Sequence, residues 1–133
     1  MEKSFHLKIV TPNRLEFEGE VTSVTCPGTE GKFQVLYNHA PLLSGLDVGI
    51  MEFKGTENQV YAVSGGFTQV LHNSVLVLAD TAERADAIDT DRAKAAKERA
   101  EERLSHRTKE LDVERAELSL HKALNRLKAA GRN

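Results

Sequence analysis

Between Leu78 and Asp89 the spacing of apolar side chains changes from every second residue to about every 3.6 residues, and no single element can carry both periods. The chain is therefore read as two halves, sheet before this stretch and helix after it. Upstream, Phe5-His6-Leu7-Lys8-Ile9-Val10 alternates apolar and polar, Thr11-Pro12-Asn13-Arg14 supplies turn chemistry, and Leu15-Glu16-Phe17-Glu18 alternates again. Further strands are predicted at Val21–Cys26, Lys32–Leu36, Gly49–Phe53, Gln59–Val63, Phe67–Leu71 and Ser74–Ala79, separated by turns bearing Gly, Pro or Asn. Eight or more short strands at this spacing argue a sandwich or a barrel.

Charge marks the same boundary. Residues 1–86 carry 6 Lys/Arg against 11 Asp/Glu, whereas residues 87–133 carry 12 against 9. An acidic sheet domain over 1–86 is followed by a mildly basic helical domain over 87–133. The tail's charges alternate in sign, which argues against a nucleic-acid arm and suits docking on an acidic protein surface. The longest purely apolar run, Val75–Ala79, falls far short of the roughly 20 residues a membrane helix needs. Direct membrane insertion is not expected. Cys26 is the single cysteine, so no internal disulfide or thiol metal cluster is predicted, and a reducing compartment fits.

Two segments interrupt the alternation. In Glu30-Gly31-Lys32 through His39-Ala40-Pro41, a glycine turn leads to a strand that ends before a proline unable to donate to a ladder. Two readings stand for this segment: a loop presenting Glu30 and His39 to a partner, and a tight corner in which His39 caps backbone carbonyls. Gly65-Gly66 after a strand is read as a hairpin corner, because no helix start and no Lys-Ser/Thr follows as a phosphate loop requires.

From Asp89 no Gly or Pro occurs before Gly131, so about 41 residues could form helix, on the order of 60 Å if continuous. Asp89 or Thr90 can cap the start, and Asp91 suits the positive end of the dipole. Ala93, Ala96, Ala100 and Leu104 line one narrow face; Val113, Ala116, Leu120, Ala123, Leu124 and Leu127 line another. These faces predict an antiparallel hairpin that turns near Ser105-His106-Arg107-Thr108-Lys109. That turn holds no obligate breaker, and alanine buries little area, so the hairpin is expected to be marginal and mobile.

No triad, H-E-x-x-H, Walker loop or CxxC is present, and the five histidines are scattered, so an enzyme is not expected. One polar cluster remains. Ile88, Asp89, Arg92 and Ala93 fall within about one helical turn, and Arg99, Lys122 and Arg126 could approach from the two arms of a closed hairpin. Guanidinium groups around an apolar patch suit a nucleotide.

The opening strand Leu7–Pro12, Asn38-His39-Ala40-Pro41-Leu42, Ser64-Gly65-Gly66-Phe67, Ala82-Glu83-Arg84-Ala85 with Ile88-Asp89, and Arg115-Ala116-Glu117-Leu118 with Leu124-Asn125-Arg126-Leu127 occur in one order along nearly the whole chain. In these motifs the chain resembles the epsilon subunit of the F-type ATP synthase. The resemblance implies a segregated α+β fold: an N-terminal ten-stranded β-sandwich, of two five-stranded sheets, followed by a C-terminal α-helical hairpin. It implies a non-catalytic part of the central rotor stalk that couples c-ring rotation to ATP synthesis, peripheral on the cytoplasmic face of the bacterial cell membrane. Its partners would be the gamma subunit and the c-subunit ring. The loop Glu30-Gly31-Lys32 would face the ring and His39 the stalk.

The same resemblance implies a brake: folded, the hairpin permits ATP hydrolysis, and extended along gamma to the alpha and beta catalytic subunits, it inhibits it, with Arg115, Lys122 and Arg126 the candidates to meet acidic segments of beta. No cofactor is required, but regulatory ATP would bind Ile88, Asp89, Arg92, Ala93, Arg99, Lys122 and Arg126. Position 122 is Lys where strongly binding members carry Arg, a point charge in place of a fork. Where the family often reads Gly-Ile-Leu-Pro-Gly-His, this chain reads Gln34-Val35-Leu36-Tyr37-Asn38-His39. The competing reading is an autonomous small-molecule-binding β-domain with a helical dimerisation tail.

Overall fold

A computed structural model describes residues 3–106 and 110–132. It divides into a unit ending at Arg84 and a second beginning at Ala85. The first contains β1 (Phe5–Val10), β2 (Leu15–Gly28), β3 (Gly31–Leu36), β4 (Leu42–Gly45), β5 (Gly49–Gly55), β6 (Gln59–Leu71) and β7 (Ser74–Arg84). The first, alternating segment buries Phe5, Leu7 and Ile9 as β1. It pairs antiparallel with the start of β2 and parallel with the start of β7.

The pairings resolve into two layers. One runs from the start of β2 through β1, the start of β7 and the end of β6 to β4. The other runs from β3 through the end of β2, β5 and the start of β6 to the end of β7. Phe5, Leu7, Ile9, Val24, Met51, Phe53, Tyr61, Val63, Val75 and Val77 belong to the core of this β-sandwich. Phe53 lies near Phe17 and Tyr61, with ring centroids 4.3 Å and 6.0 Å away.

Among the described residues the sandwich has seven continuous strands where ten were expected. Strands β2, β6 and β7, of 14, 13 and 11 residues, each pass from one layer to the other without a break. A local pattern reads each of them as two. The passage is visible as a change in which residues face inward. On β6, Tyr61 and Val63 are buried before Ser64-Gly65-Gly66, but Thr68 and Val70 after it; β2 makes its switch at a register shift between Val21 and Ser23.

The expected hairpin corner at Gly65-Gly66 is likewise overturned: β6 continues through it, paired with β7 in one register from Tyr61↔Arg84 to Leu71↔Ser74. Gly65 and Gly66 have φ of 65° and 113°, a region open to glycine at no steric cost, and a Cβ on Gly66 would lie 1.9 Å from the Leu78 carbonyl oxygen. The real corner is His72-Asn73, where both residues have positive φ (50° and 56°), the geometry of a two-residue type I′ hairpin.

Cys26 is buried in this core. Burial pushes its thiol up to about 11, slightly eased by the Thr68 hydroxyl.

The second unit opens with a short 3-10 turn, η1 (Ala85–Ala87), followed by α1 (Thr90–Ser105) and α2 (Glu110–Gly131), which pack on each other. Ala93 and Ala100 of α1 and Ala116, Ala123 and Ala129 of α2 are buried. Leu124, predicted on the apolar face, is instead 44% exposed, because the narrow alanine contact leaves it outside. Ala129, outside the predicted face, is buried near the end of α2, and α2 also meets η1. The predicted turn at Ser105–Lys109 falls in part on residues 107–109, which lie outside the described residues.

Candidate functional site

The switch of side-chain parity on β6 determines what the first layer shows to solvent. Beyond Gly66, Phe67, Gln69 and Leu71 point outward, and their β7 partners Leu78, Leu76 and Ser74 point the same way. On the other side of β6, Leu43 of β4 stands opposite Gln69, while Gly45 stands opposite Phe67 and leaves its ring uncovered. Leu43, Phe67, Leu78 and Leu71 are 72%, 57%, 47% and 41% exposed. With Gln69 and Leu76, the first three line a groove of about 280 Å³ that contains no charged side chain. Contiguous apolar side chains in water, on a sheet with a complete core behind them, mark a candidate interaction surface.

None of these residues was assigned to a site from the sequence. The signal that could have found them is the run Val75-Leu76-Val77-Leu78-Ala79, apolar at every position. A strand apolar at every position places apolar side chains on both faces of its sheet.

At one end of the sandwich the segment 37–41 crosses from β3 in one layer to β4 in the other. Asn38 has φ 61°, and its N–H donates to Asn73 Oδ1 at 2.8 Å. His39 is exposed and its Nδ1 lies 2.6 Å from the Ala40 carbonyl oxygen, to which the ring N–H donates. The histidine thus makes a local cap while its ring stays open to solvent. Glu30, Gly31 and Lys32 form the exposed end of the β2–β3 hairpin, with Gly31 at φ 124°.

In the helical unit, Asp89 caps α1: its Oδ1 accepts from the Arg92 N–H at 3.1 Å, and its Oδ2 lies 3.7 Å from Arg92 Nε. Ile88 and Ala93 are buried beside it, so Ile88, Asp89, Arg92 and Ala93 are brought together at the helix start. Arg99 sits elsewhere. It lines an open pocket of about 530 Å³ with Glu102, Arg103, His106, Asp112 and Arg115, toward the connection between the helices. Lys122 and Arg126 lie on the later half of α2, which the return of the hairpin carries back toward the start of α1. Three arginines against two carboxylates give the open pocket a net attraction for anions. Among the described residues no group of His, Cys, Asp and Glu could hold a metal ion, and no helix is long and apolar enough to cross a membrane.

The two units match known families separately. Residues 4–85 match the ATP synthase, Delta/Epsilon chain, beta-sandwich domain, and residues 86–131 the ATP synthase, Delta/Epsilon chain, long alpha-helix domain. The chain is 51% identical to the ATP synthase epsilon chain of Desulforamulus reducens over 131 residues, covering 98% of this chain and 99% of that one. It is 48% identical to that of Nitratidesulfovibrio vulgaris strain DP4, with 98% of each covered. In fold it is similar to a chain of the Euglena gracilis mitochondrial ATP synthase, with TM-score 0.83 at 24% identity over 96% of this chain and 81% of that one.

Proposed function

Both of its domains make the chain a member of the ATP synthase delta/epsilon family, a non-catalytic subunit of that complex, and we propose that it works in the central stalk by docking the sandwich on the gamma subunit through its exposed apolar face. The observation that carries this reading is the uncharged groove between Leu43, Phe67 and Leu78. Burying such a face against a partner removes apolar area from water at about 25 cal/mol per Å². A rotor element needs a contact of this kind to transmit torque between the c-subunit ring and the catalytic head, at the cytoplasmic face of a bacterial membrane. The β2–β3 tip at Glu30-Gly31-Lys32 is assigned to the c ring, and His39, beside β4, to the stalk contact. In this division residues 1–86 contact the rotor and residues 87–133 regulate.

The hairpin is the regulatory part of the proposal. Its seam is made largely of alanine methyls, each contributing about 0.8 kcal/mol when buried, so five of them supply a modest total that contact with another subunit can replace. Opened and extended, the tail would present Arg115, Lys122 and Arg126 to acidic segments of the catalytic beta subunits, beside alpha, and inhibit hydrolysis. ATP held by Ile88, Asp89, Arg92, Ala93, Arg99, Lys122 and Arg126 in the closed form alone would favour closure by mass action.

The docking reading is tested by co-purification with the gamma subunit. Phe67→Asp and Leu43→Asp put a charge into the groove without touching the core, so the proposal requires that they abolish co-purification while the unfolding midpoint holds. Retention of gamma by both variants overturns it. The brake is tested separately by deleting residues 89–133, which should raise ATP hydrolysis by the reconstituted head; unchanged hydrolysis removes the brake and leaves the docking face.

A further inference from the structure

The segment 37–41 is held to the sandwich in an unusual way. Strand pairing ends at Leu36 and resumes at Leu42. Pro41 has no N–H to give, and the hydrogen bond of His39 goes to its own neighbour Ala40. The tie to the sheet is the Asn38 N–H donating to Asn73 Oδ1 at 2.8 Å. Asn73 Nδ2 in turn donates to the Ser4 carbonyl at 3.1 Å, and the Asn73 carbonyl accepts from the His6 N–H at 3.3 Å. A second contact reaches the same place, with the Lys3 ammonium 5.4 Å from the centre of the Tyr37 ring.

Asn73 occupies the second corner of the β6–β7 hairpin with φ 56°. One half-buried amide therefore joins three segments: the hairpin turn, the beginning of β1, and the crossover that leads into β4. Both ends of the amide are used, the oxygen as acceptor and the nitrogen as donor, which sets its orientation. Neither aspartate nor serine at this position could make both bonds in the same way.

We propose that Asn73 is the positioning residue of the docking surface, fixing segment 37–41, with Tyr37 and His39, at the border of the apolar face beside Leu43. The inference rests on the docking reading above. Its physical basis is preorganisation: a loop already held in its bound shape loses less conformational entropy when the partner arrives.

Asn73→Gly separates the latch from the turn. Glycine suits a type I′ corner at least as well as asparagine, so the hairpin survives, while both side-chain bonds are lost. Asn73→Asp keeps the acceptor for Asn38 and loses the donor to Ser4. Three quantities are read on the full chain: the unfolding midpoint, hydrogen exchange at the Asn38 amide, and affinity for the gamma subunit by calorimetry. In Asn73→Gly the Asn38 amide should exchange, and gamma should dissociate, about tenfold more readily, as expected when a hydrogen bond is removed from an ordered loop. Asn73→Asp should stay closer to the parent chain in both.

Wild-type affinity in Asn73→Gly together with faster exchange at Asn38 overturns the inference, and Phe67→Asp read alongside shows whether the docking face itself stands. Unchanged exchange at Asn38 shows that no latch exists and overturns it as well. Wild-type affinity in Phe67→Asp and Asn73→Gly together rejects the docking reading and the inference with it.

Discussion

Asp89 meets Arg92 twice: one carboxylate oxygen accepts from the Arg92 backbone N–H at 3.1 Å while the other lies 3.7 Å from the Arg92 Nε. The same carboxylate that begins α1 also restrains the guanidinium assigned to ATP. Asp89→Ala should cost the hairpin about 1 kcal/mol by loss of the cap, read as lower helical signal and a lower unfolding midpoint. Asp89→Asn keeps the cap oxygen and should retain most of that stability while releasing Arg92.

Nucleotide binding is checked by titrating ATP into the isolated chain in a calorimeter. Saturable heat should appear in the parent chain and vanish in Arg92→Ala and Arg126→Ala. Lys122→Arg should tighten binding, because a planar fork engages phosphate oxygens through two parallel bonds where an ammonium offers a point charge. Absence of heat up to millimolar ATP would remove nucleotide sensing and leave the stalk role untouched.

Gly66 and Gly31 separate two reasons for glycine. Both have positive φ, 113° and 124°, but a Cβ on Gly66 would strike the Leu78 carbonyl oxygen at 1.9 Å, whereas at Gly31 nothing lies within 4 Å. Gly31→Ala should therefore cost only backbone strain, about 1–2 kcal/mol. Gly66→Ala should cost more than that and disturb the pairing of β6 with β7, measured as a larger fall in unfolding midpoint and faster exchange along β7.

The Cys26 thiol gives a pH dependence with a defined sign. Burial raises it from 9.0 to about 11 in the folded chain, so the folded state holds its proton more tightly than the unfolded state does. The corresponding stability is fully present below pH 9.0 and is lost as pH rises from there through about 11. Over that window about 2–3 kcal/mol should disappear, followed by denaturant unfolding at successive pH values. Cys26→Ala should be less stable at neutral pH and lack this slope. Reaction of the thiol with alkylating reagents at pH 8 should be slow until the sandwich unfolds.

Much of this architecture was legible in local pattern. The alternation of Phe5, Leu7 and Ile9 dictates a strand with one buried face, and that face is in the core. Asp89 before a run free of Gly and Pro announces a helix start, and it is the cap. Alanines spaced along both helices mark the seam on which they meet. Of the candidate nucleotide residues, Ile88, Asp89, Arg92 and Ala93 are close in sequence and therefore close in space, since one turn of helix joins them. Arg99 lines a pocket with Arg115 instead, a grouping that depends on how the second helix returns.

Side-chain chemistry and spacing along the chain determined the two periods, the helix start and the acidic and basic halves, because these depend only on neighbours within a few residues. Which face each long strand shows to the core was decided by the tertiary structure. Strict alternation from Tyr61 and Val63 would carry Phe67 and Leu71 inward. Instead, the positive φ values at Gly65 and Gly66 turn the strand from one layer to the other, Thr68 and Val70 go inside, and Phe67 and Leu71 go out. A glycine pair permits either a corner or a continuation, and only pairing with β7 on one side and β5 or β4 on the other selects between them. The apolar face assigned to the stalk exists because that selection went to continuation.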